Sequence, residues 1–256
     1  MFDFCFLDDQ HILLYSLNFR RAARQDALLV YKLGEQGTQP YAFFMPKTIF
    51  AKSNHPILKS SYNRPSLTDA LIGVHVCNGT LTPYGMEAEG SIDFLFHAST
   101  LKARIAACAQ PRHFAWAEWG PSDAQMTKAA YRNIEIDSHF LAGMCAVDVV
   151  KGTDDKMCLS IRDFDRDRVG QARLRGGNNL LEGVVVESST VDAGAWSEDA
   201  IETRLPFVHR LVPLTNEKLR NINESYAWTV TEDAVVLYDA LESKRHIRVL
   251  HRAFNP

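Results

Sequence analysis

The feature that most constrains the fold is a series of short runs in which apolar and polar residues alternate. A period of two places one set of side chains on a packed strand face and the other toward solvent or a second layer. Other runs are short and continuously apolar, which is typical of strands buried on both faces. The alternating runs include residues 2–6, 92–96, 157–161 and 247–249, and the apolar runs include residues 12–15, 27–31, 184–186 and 234–238.

Turn-forming residues separate these runs, and helical periodicity is weak. Pairs of strand-like runs are joined at residues 8–10, 34–37, 152–155, 176–179 and 231–233. Gly176 and Gly177 predict a hairpin turn between residues 173–174 and 180–181. The best helical windows are residues 99–107 and 198–204, and each is also compatible with loop or strand.

A loose unit of strand, turn, strand, loop and strand recurs at residues 2–33, 133–165 and 226–254. Sandwiches and propellers both produce this pattern, and propeller blades take roughly 40–45 residues each. A propeller is favoured because each blade buries its faces against its neighbours and leaves only short edges. We predict an all-β fold in one domain over residues 1–256, a partial WD-like β-propeller of about four to six blades.

Composition excludes several classes of partner. The chain has 256 residues and a formal net charge of −3, which gives no electrostatic case for nucleic acid or an anionic membrane. Five cysteines without C-x-x-C spacing indicate reduced thiols. The first residues are acidic where a signal peptide is basic, and no apolar run reaches the length of a membrane span. We therefore expect a cytoplasmic or nuclear protein.

A marked segment reads Trp116-Ala117-Glu118-Trp119-Gly120-Pro121. It resembles the W-x-x-W-G-P segment of fungal F-box proteins, in which a short helical F-box precedes a WD-like β-propeller region. Residues 95–101 and 161–165 resemble the strands on either side of that segment in this family. The likeness implies protein–protein recognition through blade-connecting loops, here at residues 54–66, 112–123 and 188–198.

The chain departs from this family at its beginning. The F-box is a helical segment that docks the adaptor subunit of a ubiquitin ligase, whereas this sequence begins at Met1 inside a strand pattern. We expect a propeller region that lacks the docking module and is truncated at the N-terminus. A ligase adaptor is therefore not an expected partner, and the protein partner is left unidentified.

Four residues are candidates for partner binding: Trp116, Trp119, Trp196 and Arg112. Large aromatic side chains anchor many interfaces. The favoured alternative is that Trp119 packs a strand end beneath a turn at Gly120-Pro121, with its indole N–H bonded to a nearby carbonyl. Trp196 lies in a polar loop and is the better candidate for exposed recognition.

Two motifs resemble those of catalytic or metal sites, and neither is complete. Ser99 and Lys102 fit S-x-x-K, which requires a serine at a helix start, but its companion motifs are missing. Residues 163–167 carry three alternate aspartates, as in a calcium loop, but Arg168 and Leu174 replace the required glycine and closing acid. We predict a charged strand end leading into a turn, with no catalytic residue, metal or cofactor.

The sequence thus favours a non-enzymatic protein–protein interaction module. One alternative is a β-propeller hydrolase or glycan-active enzyme, which would need paired acids or a nucleophile and base converging in a deep pocket. Another alternative is a truncated propeller without independent function, whose open edge strand would invite pairing or aggregation.

Overall fold

The computed structural model of the chain describes residues 4–20, 25–35, 37–47, 54–60, 69–82, 85–129, 140–152, 157–176, 183–193, 197, 199–214, 226–230, 234–239 and 247–251. They form mainly antiparallel β-sheets with short helices, which confirms the all-β prediction. The chain divides into two compact units. Unit 1 comprises Met1–Ala129 and Glu187–Leu205, and unit 2 comprises Ala130–Val186 and Pro206–Pro256. The propeller arrangement and the single domain stay predictions.

Strands and helices are numbered along the whole chain. In order they are β1 (Phe4–Phe6), β2 (His11–Arg20), β3 (Gln25–Lys32), β4 (Tyr41–Phe44), β5 (Asn54–Ser60), β6 (Leu71–Thr82), β7 (Gly85–His97), α1 (Ala98–Ala106), β8 (His113–Phe114), α2 (Trp116–Asp123), β9 (Ala124–Ala129), β10 (Leu141–Ala142), β11 (Cys145–Lys151), β12 (Met157–Asp163), α3 (Arg166–Arg175), β13 (Val184–Val186), β14 (Ser189–Val191), β15 (Ile201–Thr203), β16 (Phe207–Pro213), β17 (Tyr226–Val230), β18 (Ala234–Asp239) and β19 (Ile247–His251).

Unit 1 contains two larger sheets and a hairpin. The first sheet has the order β1-β2-β3-β4-β8, and the second has the order β5-β6-β7-β9. Neighbouring strands are antiparallel except for the parallel pair β4 and β8. Strands β14 and β15 pair with each other as an antiparallel hairpin. The two helices that the structure describes in this unit, α1 and α2, lie in the connection from β7 back to β9.

One hydrophobic core joins the two larger sheets of unit 1. Alternate residues of β7 belong to it, together with partners from the other strands and from both helices. Full burial of a large apolar side chain contributes about 1.5–3 kcal/mol. Buried members include Leu13, Leu28, Phe43, Val74, Ile92, Phe94, Phe96, Leu101, Ile105 and Trp119. The core therefore fixes both helices against the sheets.

The opposite face of β6 and β7 is also buried, although it is polar. His75 and Asp93 lie opposite each other in register, and both side chains are fully buried. His75 Nδ1 lies 2.8 Å from Asp93 Oδ1, which satisfies two groups that would be costly to bury alone. In strand β1 the small side chain of Cys5 is buried, whereas the large rings of Phe4 and Phe6 are half exposed.

Unit 2 contains a five-stranded sheet and a three-stranded sheet. Their orders are β10-β11-β12-β16-β13 and β17-β18-β19, and all of these pairs are antiparallel. Side chains of both sheets meet in a second core, which includes Val147, Val149, Leu159, Ile161, Val230 and Val235. A buried ion pair joins β11 and β12, with Arg162 Nη2 2.6 Å from Asp148 Oδ2.

The helices test several predictions from the sequence. The two windows that the sequence leaves open between helix, loop and strand differ, because residues 99–107 overlap the helix α1 and residues 198–204 contain the strand β15. The turn predicted at Gly120-Pro121 is wrong, because these residues lie inside α2. The hairpin predicted at Gly176 is also wrong. Gly176, with φ of 64°, ends α3 as its left-handed C-cap, a conformation that glycine adopts without steric cost.

The turns and loops are confirmed in part. Residues 8–10 join β1 to β2, and the segment that includes residues 34–37 joins β3 to β4. The candidate loops at residues 54–66 and 188–198 are corrected in part, because β5 and β14 occupy some of their positions. The predicted turn at residues 231–233 lies outside the described residues.

Candidate functional site

The structure brings three of the four candidate partner-binding residues into one segment. Arg112 directly precedes β8, and Trp116 and Trp119 belong to α2, the helix that leads into β9. The fourth candidate, Trp196, lies outside the described residues. We call residues 112–123 the WGP segment, and its geometry decides which side chains it buries and which it presents.

Helix α2 begins without a side-chain cap at its first flanking residue, Ala115. Glu118, three residues later, compensates because its Oε2 accepts the Ala115 backbone N–H at 2.6 Å. This hydrogen bond, with attraction from Arg112, holds the pKa of the Glu118 carboxyl below its usual range. A carboxylate at this position also interacts favourably with the positive end of the helix dipole. Glu118 therefore fixes the start of the helix.

Trp119 anchors α2 in the core of unit 1. Its side chain is fully buried, and its indole N–H donates to the Phe44 carbonyl oxygen at 3.1 Å. The ring makes edge contacts with Phe43 and Phe96, with centroid distances of 5.6 and 5.8 Å. The predicted indole hydrogen bond is thus observed, although a helix replaces the expected turn. Because the side chain is buried, it stabilises the fold and is not presented to a partner.

Trp116 is half-buried and explains the glycine of the segment. A Cβ at Gly120 would lie only 2.1 Å from the Trp116 ring, so the close approach of this ring requires glycine. Trp116 also packs edge-on against Trp119, with centroids 5.3 Å apart. The two tryptophans and the glycine therefore form one packed arrangement.

The end of α2 is tied to other parts of unit 1. The Pro121 carbonyl oxygen accepts the Arg204 backbone N–H at 2.8 Å, just beyond β15. Asp123 accepts a hydrogen bond from Arg104 Nε of α1 at 3.0 Å. The helix is thus held at its start, its centre and its end, although it contains both a glycine and a proline.

The outer side of the WGP segment presents charged groups. Arg112 lies with its guanidinium 4.4 Å from the centroid of the Phe114 ring and forms an ion pair with Glu118. Phe114 is buried and stacks on Phe43 at 4.5 Å, so the ring beneath Arg112 is itself fixed. Arg112 and Glu118 remain 48% and 45% exposed, and Ala117, next to Glu118 in the helix, is exposed as well.

The S-x-x-K motif does lie at a helix start, but its serine is bound to an aspartate. Ser99 Oγ donates to Asp69 Oδ2 at 2.5 Å, and the Ser99 backbone N–H donates to Oδ1 at 2.8 Å. His97 Nδ1 is 3.1 Å from the same carboxylate. Burial raises the pKa of Asp69, but His97 and the Ser99 hydrogen bonds outweigh burial and hold the pKa well below its usual range.

This arrangement is unsuited to activating Ser99. A general base works best with a pKa near the operating pH, and a carboxylate with a lowered pKa accepts a proton poorly. A serine triad also needs the hydroxyl to face the histidine, whereas here it faces Asp69. The geometry supports a cap for α1 that comes from outside the helix.

The three alternate aspartates are used in the start of α3. Asp165 Oδ1 accepts the backbone N–H groups of Asp167 and Arg168, each at 3.0 Å, and Asp163 Oδ2 lies 2.9 Å from Arg168 Nη1. The charged strand end is confirmed, with a helix in place of the turn. Across the described ranges, no group of three or more His, Cys, Asp or Glu side chains is placed to hold a metal ion.

Sequence reasoning missed Glu118, Gly120 and the carbonyl of Phe44 as parts of this site. A glutamate at the third helical position is a known start signal, but it is usually sought behind Ser or Thr, and here Ala115 stands in that place. The partner of Trp119 lies 75 residues away in the chain, so no local pattern identifies it.

Comparison of the chain with protein-family models, with curated proteins and with solved structures finds no match. In the part of the chain that the structure describes, no helix has both the length and the apolar character needed to cross a membrane.

Proposed function

We propose that the chain is a non-enzymatic protein-recognition module that contacts its partner through the WGP segment. The observation that carries this proposal is that some side chains of the segment are buried and hold the helix, whereas others stay exposed. Trp119 and Trp116 fix α2 to the core, and Arg112 and Glu118 are held on the outer side and stay exposed. This division gives the segment a rigid base and a polar contact surface.

Pre-organisation supports the proposal. Ordering a long side chain at an interface costs about 0.5–1.5 kcal/mol, and a residue that is already ordered avoids part of that cost. Arg112 is held from below by the Phe114 ring and from the side by Glu118. A partner carboxylate could join Arg112 without removing the ring contact, because the guanidinium presents several N–H donors in one plane.

Residue type supports it as well. Arginine and tryptophan are enriched among the residues that dominate interface energies. In the WGP segment the tryptophans act indirectly, since they position the arginine instead of touching the partner. The resemblance to the substrate-recognition region of fungal F-box proteins rests on these same residues, Trp116 to Pro121.

We include in this proposal the finer fold assignment, a WD-like propeller. Mainly antiparallel sheets of three to five strands support this assignment because propeller blades are antiparallel sheets of similar size. We further propose a cytoplasmic or nuclear location, because five cysteines without C-x-x-C spacing indicate reduced thiols, and no cofactor, because the catalytic and metal motifs of the sequence are incomplete.

The test is affinity capture with the intact chain and two surface variants. Arg112→Glu reverses the exposed charge, and Ala117→Arg adds bulk to an exposed helix position. The matched control is Lys32→Glu, because Lys32 and Glu35 form another exposed ion pair with 46% and 45% exposure. We expect one set of proteins to be captured about tenfold less by both variants than by the unchanged chain, and to be captured equally well by the control.

The variants must unfold at the same temperature as the unchanged chain, which separates loss of contact from loss of fold. Identical capture by all four chains would overturn the WGP segment as the contact surface.

A further inference from the structure

Helix α3 of unit 2 carries an apolar side chain that the fold does not use. Leu174 is 90% exposed, the largest exposed fraction among the large hydrophobic residues that the structure describes. Within α3 only Val169 is buried, so the helix contacts its unit along one narrow side. Single exposed leucines are common, and Leu174 alone would decide nothing.

A second observation points to the same helix face. Gly170 lies four residues before Leu174, which places the two on one side of the helix, one turn apart. A Cβ built at Gly170 meets nothing within 4 Å, and its φ lies outside the left-handed region. Glycine inside a helix is unfavourable relative to alanine. Neither packing nor backbone conformation within the described residues therefore requires glycine here.

The charges around this face are mainly positive. The sequence of α3 contains four arginines and one aspartate, in a chain whose net charge is −3. Arg173 and Arg175 are exposed on the two sides of Leu174, and Arg166 is exposed one turn before Gly170. Arg168 forms an ion pair with Asp163 beside the start of the helix. A partner that complements this face has an apolar group at its centre and acidic groups at its edges.

We propose that the α3 face formed by Gly170, Leu174 and the flanking Arg173 and Arg175 binds an acidic amphipathic helix of a partner protein. The partner's apolar side chains contact Leu174 and fill the open space above Gly170, where the missing Cβ lets a second backbone come close. Its carboxylates pair with the arginines. This surface belongs to unit 2 and does not depend on the WGP segment of unit 1.

A protein partner is favoured over nucleic acid by the centre of the face. Phosphate groups would use the arginines and gain little from a leucine and a glycine. An amphipathic helix uses all of these features, since it presents apolar residues three and four positions apart with charged residues beside them.

The test is selection from a displayed library of amphipathic helical peptides with leucines at fixed positions and randomised flanking residues. Peptides that bind the intact chain are kept, and those that also bind the double variant Leu174→Ser with Arg175→Glu are discarded. We expect the surviving peptides to be rich in Asp and Glu, and to bind the double variant about tenfold more weakly. The proposal would be overturned if the selected peptides had neutral or basic flanking residues. It would also be overturned if no peptide remained after those that bind the double variant were discarded.

Gly170→Ala separates recognition from folding. If a partner approaches closely at Gly170, this variant binds the selected peptides about tenfold more weakly while the chain unfolds at the same or a higher temperature. Unchanged binding would refute the close approach. The control Lys32→Glu reverses one positive charge, as Arg175→Glu does, yet it should leave binding unchanged because Lys32 belongs to β3 and not to α3.

Two further measurements distinguish other ligands of this α3 face. Binding of a labelled single-stranded RNA that depends on Arg173 and Arg175 but not on Leu174 would replace the protein partner with nucleic acid. Self-association of the chain that Leu174→Ser abolishes in sedimentation would identify a second copy as the occupant. Either result overturns the proposed acidic helix.

Discussion

Helix α2 of unit 1 and helix α3 of unit 2 are of similar length but are stabilised in opposite ways. Helix α2 contains Gly120 and Pro121 and has alanine at its N-cap, yet it buries Trp119 completely. Helix α3 buries only one side chain but has an aspartate N-cap and a left-handed glycine C-cap. The first helix exists because of contacts with the rest of its unit, and the second because of signals within its own sequence.

This difference bears on function. A helix that depends on the core moves with the core, so the exposed groups of α2 are held in a fixed geometry. A helix that is locally stabilised tolerates change on its solvent side, so α3 can carry Leu174 and several arginines without cost to the fold. The two proposed surfaces are therefore held in different ways. The α2 surface is fixed by packing against the core, and the α3 surface is carried by a helix that its own caps stabilise.

The largest expected effect tests the dependence of α2 on the core. Trp119→Ala removes a fully buried side chain and leaves the Phe44 carbonyl oxygen without its indole donor. We expect a loss of about 3–5 kcal/mol in the free energy of unfolding, measured by denaturant titration with circular dichroism. Leu174→Ala in α3 is the matched control and should change this free energy by less than about 0.5 kcal/mol. Equal losses for the two variants would end the comparison.

The two helical glycines should respond with opposite sign to the same substitution. Gly120→Ala places a methyl group against the Trp116 ring, and we expect a loss of about 1–3 kcal/mol from overpacking. Gly170→Ala meets open space, so the helix propensity of alanine should stabilise the chain by up to about 1 kcal/mol. Thermal unfolding of both variants measures the difference. A stabilising effect of Gly120→Ala would show that Trp116 moves aside at little cost.

Removing the local cap of α3 should have a smaller effect. Asp165→Ala leaves the backbone N–H groups of Asp167 and Arg168 without their acceptor, and we expect a loss of about 1 kcal/mol. Faster amide hydrogen exchange confined to the first turn of α3 is the measurement. Asp165→Asn serves as the control, because asparagine caps nearly as well. Exchange that stays slow in Asp165→Ala would show that α3 does not depend on this cap.

The sequence predicts the strands better than the helices. Alternating and apolar runs identify β2, β3, β7, β12 and β18, because a period of two is a direct consequence of strand geometry. Helix α1 lies in a window that the sequence leaves open between helix, loop and strand. Helix α2 is missed because Gly120 and Pro121 are ordinary turn residues, and only the distant contacts of Trp119 make a helix favourable there.

Helix α3 is missed although its signals are local. Asp165 and Gly176 are a standard start and stop for a helix, but the aspartates also fit a charged strand end and Gly176 also fits a hairpin turn. The buried pair of His75 and Asp93 shows a different limit. Alternation at residues 92–96 predicts that Asp93 faces away from the core, but its burial with His75 depends on strand pairing across 18 residues. Local patterns cannot supply that information.

The smallest expected effect depends on pH and concerns α1, which is capped from outside its own sequence. Burial opposes the ionisation of Asp69, but His97 and the hydrogen bonds from Ser99, 30 residues away, hold its folded-state pKa below the unfolded value of about 3.9. A lowered folded pKa gives stability that is present above the unfolded pKa and is lost as pH falls toward the folded pKa. The free energy of unfolding should therefore fall as the pH drops below about 4.

Asp69→Asn tests this dependence, because asparagine still caps a helix but does not ionise in this range. At neutral pH we expect Asp69→Asn to be less stable than the unchanged chain, because the stability that depends on the charge is absent, and below about pH 4 we expect a shallower further loss. The control is Asp9→Asn, an exposed residue of the turn between β1 and β2, which should leave the slope as it is. If both variants give the same pH profile, the cap of α1 draws nothing from the charge of Asp69, and α1 would then resemble α3 in needing only a hydrogen-bond acceptor at its start.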